Sequence, residues 1–240
     1  MGWNDRNTIY DPRASQAVGT FSARVYGWMS IGLAFTAAIA FFVYQSGLFL
    51  KLLPFWWVWA IATFGVAMGF NASIQRFSIQ GVIGMFLAYA GLEGIMFGTI
   101  LPAFAAAYGG QVIWLAFVSA AAIFLLAMGY GMFTKNDLTS LGRILSIGLI
   151  GLIGLTLVFA LLSLFMQLPL LNLLISYLGL VIFVGLAAYD AQTIRQLSAQ
   201  ADVNSVVSYK LSMVMALKMY INVIMIFWYL LRIFSSSNRR

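Results

Sequence analysis

The sequence predicts an all-α, polytopic membrane protein of seven spanning helices, with the last helix enclosed by the others. Three observations lead there. Of 240 residues, 63% are hydrophobic and 8% charged, against about 25% charged in an average soluble domain. At roughly 20 residues per span plus short connections, such a chain holds about seven spans and no sizeable soluble domain. The apolar residues also fall into separate runs divided by short polar stretches, and the last run carries Lys218 and Asn222, four residues apart and therefore on one helical face. A charge turned to lipid at mid-helix costs at least about 2.5 to 3.5 kcal/mol. That face must look at other helices, at water or at a ligand.

Residues 1–20 read as a polar N-terminal tail, with Asp5, Arg6, Asp11 and Arg13 mixed in sign. The first apolar run, 25–44, is too long for a typical signal core and is read as the first span. Further spans are read at 55–71, 79–101, 111–133, 144–166, 170–189 and 206–234, which makes 21–234 a seven-helix membrane domain and 235–240 a basic tail. Pro54, Pro102 and Pro169 fall in the connections after the first, third and fifth spans, where a helix must end anyway. Arg6, Arg13, Arg24, Arg76, Lys135, Arg143, Arg195 and Lys210 collect in the N-terminal tail and the even-numbered connections, with Lys51 alone opposing them. By the positive-inside rule that side, and with it the amino terminus, is cytoplasmic. Arg232, Arg239 and Arg240 pull the other way at the C-terminal end. The last run either crosses fully despite these charges, which is favoured, or re-enters. Gly65–Gly69 and Gly94–Gly98 have the small-xxx-small spacing of close helix contacts; among 22 glycines, ordinary packing explains such pairs better than a dedicated dimer face.

Composition also excludes functions. The net charge of +7 comes from 13 basic residues spread over tails and loops, so it forms no folded basic face for nucleic acid. Cysteine and histidine are absent, which removes disulfides, thiol chemistry, the commonest metal ligand and the usual general base. There is no carboxylate pair at helical spacing and no glycine-rich phosphate loop. The expectation is no enzyme and no resident cofactor. Trp56, Trp57 and Trp59 suit an interfacial anchor.

Within the spans the ionisable side chains are few: Glu93 in the third and Lys218 in the seventh, with Arg76 and Asp190 ending the second and sixth on one side of the membrane. At about 1.5 Å per residue, Glu93 and Asn222 come near mid-depth and Lys218 between them and that side. These residues could form a polar column, an ion or proton path of the kind intramembrane ionisable groups mark. Each also has a plainer role. Glu93 could be a protonated acid hydrogen-bonded between helices, Lys218 could snorkel to the interface, Arg76 could be a topological anchor and Asp190 could cap or solvate a loop.

Several of these stretches resemble the Bax inhibitor-1 family, also called the transmembrane Bax inhibitor motif family. They are Glu93-Gly94-Ile95 with Phe97-Gly98, Ala188-Tyr189-Asp190-Ala191-Gln192-Thr193-Ile194, and Ala216-Leu217-Lys218-Met219-Tyr220-Ile221-Asn222 leading to Leu230-Leu231-Arg232. The likeness runs through all seven spans and into Asn238-Arg239-Arg240, in the manner of bacterial members. It implies a central last helix, an inner-membrane location and a pH-responsive Ca²⁺ leak. The implied sensor pairs an aspartate ending the sixth helix with one in the seventh, latched by an arginine ending the second. Asp190 matches the first aspartate and Arg76 the arginine. The second aspartate is Asn222 here, and Lys218 stands one turn earlier where a small polar residue is common.

The leading expectation is therefore a membrane protein permitting or regulating a cation leak, with Asp190, Arg76, Asn222 and Lys218 at the gate and Glu93 on the path. Ca²⁺ would be the permeant or regulatory ion, met by Asp190 and Asn222. The alternatives are a non-conducting regulator that binds a partner such as a quality-control membrane protease, and a proton-coupled transporter. Lys218 could pair with Asp190.

Overall fold

The computed structural model describes residues 12–163, 165–166, 168–200, 202 and 205–237, of which 12–19, 71–75 and 237 are described as backbone. The tail segment 1–11, the side chain of Arg13 and residues 238–240, with Arg239 and Arg240, lie outside them. The described regular structure is helical throughout: α1 (Pro12–Gln45), α2 (Trp56–Arg76), α3 (Ile79–Tyr108), α4 (Gly110–Phe133), α5 (Thr139–Leu162), α6 (Pro169–Gln200) and α7 (Val206–Ser237). A short helical turn at Phe49–Leu52 and a 3-10 turn at Leu53–Phe55 lead into α2. All seven helices are long and apolar enough to cross a membrane. Turns reverse the chain between them, so Arg76, Arg143, Arg195 and Lys210 gather toward one end of the bundle, called here the basic end.

Three boundaries differ from expectation. Pro102 lies inside α3, which continues to Tyr108 and ends at Gly109, whose φ of 86° permits the reversal into α4. A membrane helix tolerates the lost N–H because neighbouring groups can satisfy the freed carbonyl. Pro54 and Pro169 do sit in a turn and at a helix start, where a missing N–H costs nothing. The α1 helix begins at Pro12, within the stretch read as a polar tail. The largest difference is at α6, which runs on to Gln200, so Asp190 is an interior helical residue, about 15 Å from the helix end.

The last helix is the core. Of its most apolar window 72% is buried, against 6 to 44% for the other six. It packs on α1, α3, α4, α6 and, more lightly, α2, while α5 leans on α6 in a second row. Glycines set how closely these helices approach. A Cβ at Gly94 would lie 2.7 Å from Ile39 Cβ and one at Gly98 2.7 Å from the Ala40 carbonyl oxygen, so that pair seats α3 on α1. A Cβ at Gly65 would meet nothing and one at Gly69 only Met85 at 3.8 Å, so the other pair makes no such contact.

Candidate functional site

Asp190 lies on the face of α6 that meets α7. Small residues bring its neighbourhood into place: α4 approaches through Gly131 against the Ala188 carbonyl, and the Tyr189 ring covers Gly142 of α5. Asp190 is 5% exposed, and two groups from α7 meet its carboxylate. Asn222 Nδ2 donates to Oδ2 at 2.8 Å, while Lys218 Nζ lies 4.0 Å from Oδ1. The first is a buried hydrogen bond. The second is an attraction across a gap longer than a hydrogen bond, made by a lysine whose side chain is 48% exposed. A lysine one helical turn before Asn222 thus reaches from the accessible surface of the bundle to a buried acid without being buried itself. The pairing of Lys218 with Asp190 read from sequence is present.

The next turn of α6 holds the loop beneath this acid. Gln192 accepts from the buried Leu138 N–H at 2.8 Å and donates from Nε2 to the Asn136 carbonyl at 2.8 Å. Arg195 Nη1 donates to the Met132 and Thr134 carbonyls at 2.6 and 3.2 Å, capping the end of α4. In that loop Asp137 accepts from the Thr139 N–H at 2.9 Å and its hydroxyl at 2.6 Å, opening α5. These two bonds hold the Asp137 carboxyl below the usual carboxylate range. At the same end, Ser22 of α1 donates to Ser198 at 2.7 Å, because the Ser198 hydroxyl is itself committed to the Ile194 carbonyl. In the sequence alone Gln192 has no legible role. A glutamine with a separate backbone partner for each end of its amide is the signal, visible only once the loop is folded against it.

Glu93 belongs to a second cluster. It is 4% exposed and accepts from Tyr89 at 3.2 Å through Oε1, while its buried Oε2 has no partner among the described residues. Tyr220 of α7 packs edge-on against Tyr89, with centroids 5.7 Å apart, and donates to Thr36 at 2.6 Å; Thr36 in turn donates to the Ala90 carbonyl at 2.9 Å. Tyr220 and Asn222 are two residues apart, about 200° around a helix, so this cluster and the Asp190 cluster occupy different sides of α7. Among the described residues no hydrogen bond or ion pair joins them. The single column the sequence allowed is divided in two by the central helix. Arg76 stands exposed at the end of α2, with no ion pair among the described residues. The structure therefore brings together Asp190, Asn222 and Lys218, and leaves Glu93 and Arg76 apart from them.

Chemically, the Asp190 site is a buried acid held across a helix interface by one amide and one amine. Ca²⁺ takes about six to eight oxygen ligands; among the described residues no three acidic side chains cluster to offer them, and both Asp190 oxygens already face partners on α7. Beyond the Glu93 cluster, aromatic rings fill the interior toward the other end, with Phe97 stacked on Trp228 at 4.9 Å and tilted on Phe227 at 5.4 Å.

Six apolar helices around a polar-faced seventh, with an acid–amide–amine contact between the sixth and seventh, define an integral membrane protein built on its last helix. Comparison with known sequences gives the particular family. The family described as Inhibitor of apoptosis-promoting Bax1 matches residues 18–239. An uncharacterized protein of Chlamydia muridarum is 52% identical over 240 residues, covering 100% of both chains. The inner membrane protein YbhL of Escherichia coli K12 is 33% identical over 239 residues, covering 98% of this chain and 97% of its own. A protein of Borreliella burgdorferi is 31% identical over 217 residues, 88% of this chain and 90% of that one. The chain belongs to the Bax inhibitor-1 family.

Proposed function

We propose that this protein regulates a cation leak across a bacterial inner membrane, Ca²⁺ being the ion its family resemblance suggests, and that the structure described is the closed form. One observation carries the reading: a buried aspartate in the α6 interior whose two oxygens are engaged by Asn222 and Lys218 of the central helix. A cation approaching Asp190 must compete with the lysine ammonium already beside it. Protonating Asp190 removes the attraction that draws Lys218 in, so the contact between α6 and α7 responds to pH through one carboxyl. In this reading the cationic latch is Lys218, from within the central helix, and Arg76 serves as an anchor on the positive-inside side. The basic end faces the cytoplasm and so does the amino terminus. Asp190 is a gate residue here, and Ca²⁺ is passing cargo.

Reconstituted into Ca²⁺-indicator-loaded liposomes, the protein is expected to leak above empty vesicles, and Asp190→Ala is expected to change that leak and flatten its pH dependence. If native protein and Asp190→Ala are both as silent as empty vesicles, the leak reading fails. A non-conducting regulator would then remain, recognised by stable co-purification of a membrane partner that is indifferent to Asp190→Ala. Substrate-dependent proton movement abolished by Glu93→Gln would instead mark a proton-coupled transporter.

A further inference from the structure

Helices α1 and α4 flank α7 without packing on each other along a groove of about 680 Å³, within the range of about 300 to 1,000 Å³ typical of small-molecule sites. Its walls are Leu33 and Ala37 on α1 and Phe117 and Ala121 on α4, and its floor is Phe97 of α3 with Phe227 of α7. Alanine on both walls leaves the space open, and the buried rings beneath close it off from the interior. No lining residue is charged. The lone hydroxyl among them, on Thr36, already donates to the Ala90 carbonyl and accepts from Tyr220. Apart from the indole N–H of Trp114 at the mouth, an ionic or peptide ligand would find no partner there.

We propose that this groove is a lipid site that takes one acyl chain of a phospholipid from the leaflet opposite the basic end. The mouth is continuous with the lipid-facing surface, since Trp114, Phe117 and Leu125 line the groove and are also exposed on the outer face of α4. Its length fits one leaflet. The lining runs from Ile113 to Leu125 along α4, about 18 Å at 1.5 Å per residue, against a hydrocarbon half-thickness of about 15 Å. Trp114, one turn inside the start of α4, sits where an interfacial tryptophan marks the headgroup level. The chain enters there and runs toward Leu33 near mid-membrane. Its headgroup stays outside the groove, so the site selects for chain occupancy and tolerates headgroup variation. Through Phe227, the occupant touches the central helix itself.

The full chain is reconstituted in phosphatidylcholine vesicles carrying a phospholipid with a photoactivatable diazirine on its acyl chain, irradiated, and the labelled residues mapped by mass spectrometry. The expected result is label on Ala121 and Phe227 at least five-fold above label on the lipid-facing residues Ile150 and Leu161, which lie outside the groove. Ala121→Phe, which fills it, is expected to cut the Phe227 label at least five-fold and leave the Ile150 and Leu161 label unchanged. Groove label no higher than perimeter label in the unsubstituted chain means ordinary bilayer contact and overturns the proposal. So does a dimer by native mass spectrometry whose cross-links map to Phe117, since the occupant would then be a second copy of the chain. The unsubstituted chain decides both points even if the filled variant misfolds.

Discussion

At the scale of single residues, the contact between Asp190 and Asn222 is the one on which most depends. Asn222→Leu keeps the volume nearly constant but withdraws the donor from a buried carboxylate. A hydrogen bond to a charged group is worth about 1.5 to 3 kcal/mol, so the variant is expected to lose about that much in a detergent-unfolding titration, and an unchanged midpoint would mean the bond is not formed. The same variant should leave Lys218 as the only partner of Asp190. Asp137, in the loop outside the spans, gives a pH prediction with a definite sign. Its carboxyl is held low by the Thr139 hydroxyl and N–H, so the turn these bonds close is fully stabilised above the unfolded value of about 3.9 and loses that stabilisation as pH falls through the lower folded value. Carbon-detected titration of the Asp137 carboxyl should therefore find a midpoint below that of a free aspartate, and Asp137→Asn should speed amide exchange at Thr139 near neutral pH. A free-aspartate midpoint would contradict the two bonds from Thr139.

At the scale of elements, glycine contacts and one glutamine decide how the helices sit. Gly98→Leu forces a side chain into the Ala40 backbone, and overpacking of this kind costs about 1 to 3 kcal/mol; Gly65→Ala, with open space around it, should stay within about 0.5 kcal/mol. Equal effects would show that the α1–α3 seat is not what holds these helices. Gln192→Leu leaves the buried Leu138 N–H without its acceptor, a loss of about 1 to 3 kcal/mol, and hydrogen exchange should rise across 134–138 while the α7 core stays protected. The seven spans were legible in the sequence because bilayer thickness imposes a run length that few other structures need. Helix ends were less so. Pro102 reads as a break because in water it would be one, and 190–200 reads as a loop because its polar residues give no hydropathy signal once the helix runs on toward the basic end.

At the scale of the whole molecule, the enclosure of the last helix followed from two residues, Lys218 and Asn222, since neither can face lipid. What the sequence could not give was azimuth. Spacing along each helix put Glu93 and Asn222 near mid-depth and Asp190 at a helix end, but which side of α7 each faced depended on packing by Gly131 and Gly142 and on Tyr220 turning toward α1. Hence one expected column became two clusters, and the cation beside Asp190 is Lys218, while Arg76 makes no ion pair among the described residues. The family resemblance supplied Asp190 and the centrality of α7, while the residues that differ from its pattern proved to be the ones touching Asp190. Two facing carboxylates titrate as a coupled pair, whereas a lone Asp190 held by an amide and an amine has one step to offer. The direct test is a Ca²⁺ flux titration in proteoliposomes from pH 5 to 8, comparing the native chain with the Lys218→Ser, Asn222→Asp double variant. A single pH step is expected from the native chain and a broader, two-step response from the variant. Superimposable profiles from two equally folded proteins would contradict the assignment of Asp190, Asn222 and Lys218 as the gate.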